Sequence, residues 1–178
     1  MKKRTLLLWH LGLWCSLATA QMVYPTPPDV APRLFYIQRT GSPNTIVYDA
    51  NLTPDGKFQQ DKPIDVYWLR YSEKGQRQDL NYLQRTLAYG VKWSAANSLN
   101  EYVFHLVSYS KRRFRLKKDA NGRPVVVLTL QGKEAYLKRV FIELEPALFG
   151  LKPNIHYVEI FGVDVRTGGQ AYEKFVPQ

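Results

Sequence analysis

The sequence predicts an all-β, mainly antiparallel domain, and three observations predict it. Short runs rich in Val, Ile, Tyr and Phe recur between clusters of Gly, Pro, Asn and Asp. The chain carries 12 Tyr and 8 Phe, residues that favour pleated, half-buried surfaces. Only one stretch, Asp79 to Arg85, has helical spacing, so at most one short helix is expected. Many short strands without intervening helices imply a single-domain β-sandwich or a small β-barrel, and the pattern fits both.

From the N-terminus, Lys2, Lys3 and Arg4 precede the apolar run Thr5 to Leu17, and Ala18-Thr19-Ala20 follows. A positive start, a short apolar stretch and small residues before a cut make a secretory signal, expected to span residues 1–20. The apolar run is shorter than the roughly 20 residues a spanning helix needs. Cys15 lies inside it, preceded by Gly12-Leu13-Trp14, which is not a lipoprotein box. Cleavage would leave 158 of the 178 residues, lower the formal charge from +10 to +7 and remove the only cysteine. No disulfide, thiol nucleophile or Cys-ligated metal is then expected. The protein is expected to be exported, periplasmic or extracellular, with no transmembrane span after cleavage. Residues 21–32 include Pro25, Pro27, Pro28 and Pro32 and read as an extended tether. Residues 33–178 are the β domain.

Strands are expected at about 33–39, 45–50, 64–71, 87–93, 101–109, 112–118, 124–131, 134–145, 155–166 and 171–176. Asn121-Gly122 predicts a type I′ hairpin turn, since both residues accept positive φ. Gly132-Lys133 and Gly168-Gly169 predict two further hairpins. For the short helix at Asp79 to Arg85, Leu80, Leu83 and Leu87 sit at spacings of 3 and 4, and Asp79 would cap the start. In 134–145, alternation places Tyr136, Val140, Ile142 and Leu144 on one face, with Arg139, Glu143 and Glu145 opposite. Lys138 interrupts the apolar face of that longest strand, which argues against a membrane-spanning barrel.

Several of these stretches together resemble the DUF4833 family, a domain of unknown function. They are Leu34-Phe-Tyr-Ile-Gln-Arg39, Asn44-Thr-Ile-Val-Tyr-Asp-Ala-Asn51, Pro63-Ile-Asp-Val-Tyr-Trp-Leu-Arg-Tyr71 and Leu80-Asn-Tyr-Leu-Gln-Arg-Thr-Leu-Ala-Tyr-Gly90. Gly132-Lys-Glu-Ala-Tyr-Leu-Lys-Arg-Val-Phe-Ile142 and Tyr157-Val-Glu-Ile-Phe-Gly162 continue it, so the resemblance runs from about 33 to 176. It implies a small standalone domain, often exported. It brings no activity, catalytic residue or ligand.

Two groups of residues are candidates for binding. Arg39, Asp49, Asp65, Trp68, Arg70, Tyr82 and Arg85 lie among aromatic strands. Arginine forks suit carboxylates and phosphates, and aromatic faces suit sugars and lipid tails. The same residue types also make structural ion pairs. Second, residues 111–123 hold seven basic side chains and one acidic one. Arg112, Arg113, Arg115 and Lys117 would attract a polyanion, or else protect an edge strand from aggregation.

Catalysis has little support in the sequence. His105 and His156 follow no metal-ligand spacing, and no serine sits in G-x-S-x-G. No catalytic residue, metal ligand or cofactor is therefore assigned. The expected function is a non-enzymatic ligand- or partner-binding module of the cell envelope. Its partner would be an anionic small molecule, a glycan or lipid, or an envelope protein; nucleic acid is disfavoured. The alternatives are a small hydrolase built on Asp49, Asp65 and a histidine, or a structural envelope protein.

Overall fold

The computed structural model describes residues 24–97, 100–145 and 154–177. The expected signal peptide and the tether residues before Tyr24 lie outside them. Eleven strands form one curled, mixed sheet: β1 (Arg33–Arg39), β2 (Ser42–Ala50), β3 (Ile64–Arg70), β4 (Gln76–Asp79), β5 (Val91–Asn97), β6 (Glu101–Leu106), β7 (Tyr109–Lys118), β8 (Pro124–Leu130), β9 (Lys133–Leu144), β10 (Ile155–Asp164) and β11 (Gln170–Phe175). The main path runs β4-β3-β2-β1-β9-β8-β7-β6-β5. It is antiparallel throughout except where β1 meets β9.

The long strand β9 holds the fold together. Its first residues pair with β8, from Val127↔Tyr136 to Leu130↔Lys133. Its later residues pair with β1, from Tyr36↔Arg139 to Arg39↔Ile142. Its other edge is taken by β10, which carries β11. Two arms therefore spread from β9 and curl toward each other. Phe35 stacks on Tyr48 at 4.2 Å within one arm and meets Phe104 and Phe114 of the other at 6.5 and 6.4 Å. All four rings are essentially without solvent contact. Burying such a ring contributes roughly 1.5–3 kcal/mol, so this stack fixes how the arms face each other. The outcome is a half-barrel, between the two architectures the pattern allowed.

Four local expectations are corrected. Asn121-Gly122 does not form a type I′ turn, because only Gly122 has positive φ. The Asp119 carboxylate instead accepts the N–H groups of Asn121 and Arg123, both at 2.9 Å. Positive φ at two successive positions occurs instead at Gln131-Gly132, between β8 and β9, and at Lys74-Gly75, just before β4. Second, Tyr136 does not share a face with Val140. The β9–β10 register jumps from Arg139 to Leu137, leaving Lys138 as a bulge residue. Ala135 and Leu137 before it, and Val140 after it, all reach the core. Third, Asp79 ends a strand that was not expected, β4.

The fourth concerns the helix, which shrinks to one π-type turn at Gln84–Ala88. Residues 82–83 lead into it, and Asn81 caps that lead-in: its Oδ1 accepts the Gln84 N–H at 2.8 Å, and Gln84 Oε1 accepts the Asn81 N–H at 3.1 Å. One turn cannot present a continuous stripe, so Leu80 is buried while Leu83 and Leu87 are exposed. The chain then passes so close to the turn that a Cβ on Gly90 would lie 1.9 Å from the Arg85 carbonyl oxygen. The strand expected at 87–93 consequently starts at Val91.

Residues 24–32 lie along the sheet. The Tyr24 ring meets Phe141 edge-on at 5.1 Å, and buried Gln38 donates to the Pro25 carbonyl at 2.8 Å. Among the described residues, no helix is long and apolar enough to cross a membrane.

Candidate binding groove at the open seam

The two ends of the strand path, β4 and β5, are consecutive in the chain but do not pair. The half-barrel therefore has an open seam between them, crossed by residues 80–90. The inner residues of β3 follow from alternation: Ile64, Val66 and Trp68 point inward, and Asp65 and Tyr67 point outward. Ile64 and Val66 face Val91 and Trp93 across the seam, with Leu80 and Gly90 closing the end. This cavity has a volume of about 280 Å³, with Asp61, Lys62 and Arg85 at its rim. A second hollow of about 700 Å³ adjoins it at Trp93, between Lys57, Phe58 and Gln60 on one side and Ser94 and Ala95 on the other. Glu101 and Tyr102 also line it.

Trp93 is the residue common to both hollows, and it is 37% exposed. Its indole is an apolar face set beside water, unlike that of Trp68. Trp68 is buried, donates Nε1–H to Gln84 Oε1 at 3.3 Å and packs edge-on against Tyr89. The seam has a second exposed apolar feature. Tyr82, Leu83 and Leu87 on the turn are 78%, 63% and 70% exposed.

The residues singled out from sequence do not converge on one site. Asp49 and Asp65 stand directly opposite each other across β2 and β3. Each is already matched on the outer face. Asp49 accepts from Arg33 Nε and from the Tyr67 hydroxyl, both at 2.6 Å. Asp65 accepts from Lys62 at 2.5 Å and from Arg77 at 2.6 Å. Burial works against the Asp65 carboxylate, but Lys62 and Arg77 outweigh it and hold its pKa below the usual value. Arg77 also lies over the Tyr67 ring at 3.9 Å. Arg70 pairs with Glu73 at 2.5 Å, and the Arg39 guanidinium sits 5.8 Å from the Trp68 ring. Of the original set only Arg85 lines the groove. It donates to the Leu80 carbonyl at 3.3 Å, and Tyr82 stands on the same turn.

On the opposite side, Arg113, Arg115 and Lys117 share the outer face of β7, away from buried Phe114 and Leu116. Arg113 lies 2.9 Å from His105 Nδ1, and Arg115 pairs with Glu134. Arg112 takes the other face, where it pairs with Glu173 and lies 5.1 Å from the Phe175 ring. Partial burial, then Arg113 and Lys92, lower the His105 pKa. His156 is exposed on β10, with Nδ1 3.7 Å from Glu145. Neither histidine meets a carboxylate within the groove. Among the described residues, no three His, Cys, Asp or Glu side chains gather to hold a metal ion.

Sequence reasoning missed Trp93, Ile64, Val66 and Val91. Trp93 belongs to neither group of residues that the sequence singles out. Its signal was an aromatic residue in a strand that follows Gly90 directly. The model of the family described as "Domain of unknown function (DUF4833)" matches residues 35–174. No curated protein and no solved structure matches the chain.

Proposed function

Because the chain belongs to the DUF4833 family of domains of unknown function, we propose its role from geometry: it is an exported binding domain of the cell envelope that holds its ligand in the seam groove. The observation that carries this reading is Trp93, a partly exposed indole at the junction of two hollows with an apolar wall and a charged rim. Binding sites typically combine such a wall with a few polar groups, and they occur at the mouths of β-barrels. The outer-face carboxylates are each already matched by cations or a hydroxyl, which leaves the groove as the better seat. Export rests on the leader pattern in residues 1–20. A protein partner has separate support in the exposed Tyr82, Leu83 and Leu87 beside the groove.

Indole emission tests the reading. The purified protein is titrated with envelope lipids, glycans, acidic metabolites and acidic peptides. At least one class should give a saturable emission change that the Trp93→Phe variant lacks. A change that persists in Trp93→Phe would place the ligand elsewhere, and no change with any class would tell against the groove.

A further inference from the structure

We infer that the free edge of β5 accepts an extended, acidic polypeptide segment as an added strand, with one apolar side chain of that segment against Trp93. The inference rests on the groove reading and names the occupant. Among the described residues, three strands are paired on one side only: β4, β5 and β11. An open edge offers unpaired backbone groups to any extended chain, and proteins usually blunt it with short length, charge, proline or a bulge. β4 has only four residues, with Arg77 and Asp79 among them. β11 carries Glu173 and Lys174, the first paired with Arg112 and the second over the Tyr157 ring. β5 reads Val-Lys-Trp-Ser-Ala-Ala-Asn, with one charge and no proline, and its register shifts only between Ala95 and Asn97, at its far end.

The backbone pattern shows which groups are available. Val107 N–H donates to the Gly90 carbonyl at 2.9 Å, and the register from Val91↔Leu106 to Ala95↔Tyr102 is unbroken. Antiparallel pairs alternate between bonded and non-bonded. Lys92 and Ser94 therefore spend their amide groups on β6, while Val91, Trp93 and Ala95 direct theirs to the free edge. The larger hollow runs beside Trp93, Ser94 and Ala95, where an added strand would lie. Strand addition uses main-chain bonds for affinity and alternate side-chain pockets for selectivity, and Trp93 supplies the pocket.

Charge selects the partner. Of the cations that line the hollows, Lys57 and Lys62 pair with Asp55 and Asp65, and Arg85 stands with Asp61 and Glu101; the one charge on β5 itself is the cation Lys92. The chain as a whole is formally +10, or +7 without residues 1–20, so a second copy is repelled where an acidic segment is attracted.

The test uses a fluorescent decapeptide alternating Glu with Val and Tyr, read by anisotropy at low salt. Its controls are the same peptide N-methylated throughout, which keeps the side chains and loses every donor, and a version with Lys for Glu. The Glu peptide should bind saturably, and both controls at least tenfold more weakly. Ala95→Pro removes one outward N–H without touching the β6 ladder and should also weaken binding at least tenfold. Equal binding of the parent and N-methylated peptides overturns strand addition and leaves the groove reading standing. No binding of any peptide overturns strand addition too, and the emission titration then judges the groove by itself. Equal binding of the Lys peptide overturns the acidic partner. So does dimerisation of the free protein that Ala95→Pro abolishes.

Discussion

At the scale of single residues, the outer face of β1 to β4 shows why composition alone misplaces a site. Arg33, Asp49, Asp65 and Arg77 have the residue types of an anion pocket. Which side chain each one meets depends on strand register, and no local pattern encodes that. Once Asp49 stands opposite Asp65, the two carboxylates need cations between and beside them, and Arg33, Lys62 and Arg77 supply these. The pH dependence follows from Asp65. Its folded pKa lies below the unfolded value near 3.8, so its stabilisation is complete above that value. It is lost as pH falls through the folded pKa. In Asp65→Asn the melting temperature should fall less steeply with acid below about pH 4 than in the wild type. At neutral pH the loss should stay within about 1 kcal/mol, because Lys62 and Arg77 are half exposed. Identical acid limbs for the two proteins would show that the carboxylate is not the group responsible.

Elements were legible where they alternate and obscure where backbone irregularity intervenes. Runs such as Ile64–Arg70 and Pro124–Leu130 announce themselves through β-branched and aromatic residues. β4 did not, because Gln-Arg-Gln-Asp is strand by pairing with β3 and not by its own preference. The bulge at Lys138 was hidden for a related reason. A one-residue slip exchanges the two faces, so strict alternation assigns the half of β9 before the bulge wrongly. The 80–90 segment is governed by Gly90, which alone lets β5 start beside the turn. Gly90→Ala must push the Arg85 carbonyl away, and overpacking of this kind costs about 1–3 kcal/mol. Urea unfolding should show that loss. An unchanged midpoint would mean that the turn moves freely, and the seam would then lack a fixed end.

For the whole molecule, β9 explains both the unity of the fold and its opening. By pairing with β8, β1 and β10 it commits the sheet to two arms. The aromatic stack draws the arms together, and nothing pairs β4 with β5. The sequence foretold an all-β, mainly antiparallel domain and left its closure undecided, because closure depends on the parallel β1–β9 contact between distant segments. The groove was invisible for the same reason: Ile64, Val66, Leu80 and Trp93 are neighbours only after the sheet curls. The central claim is that this seam is where a ligand sits. The most direct measurement is thermal shift of the wild type, Trp93→Ala and Arg113→Ala against envelope lipids, glycans, acidic metabolites and acidic peptides. The account predicts a saturable rise in melting temperature that Trp93→Ala loses and Arg113→Ala keeps. A rise that survives Trp93→Ala and disappears in Arg113→Ala would contradict it and move the site to the basic outer face of β7.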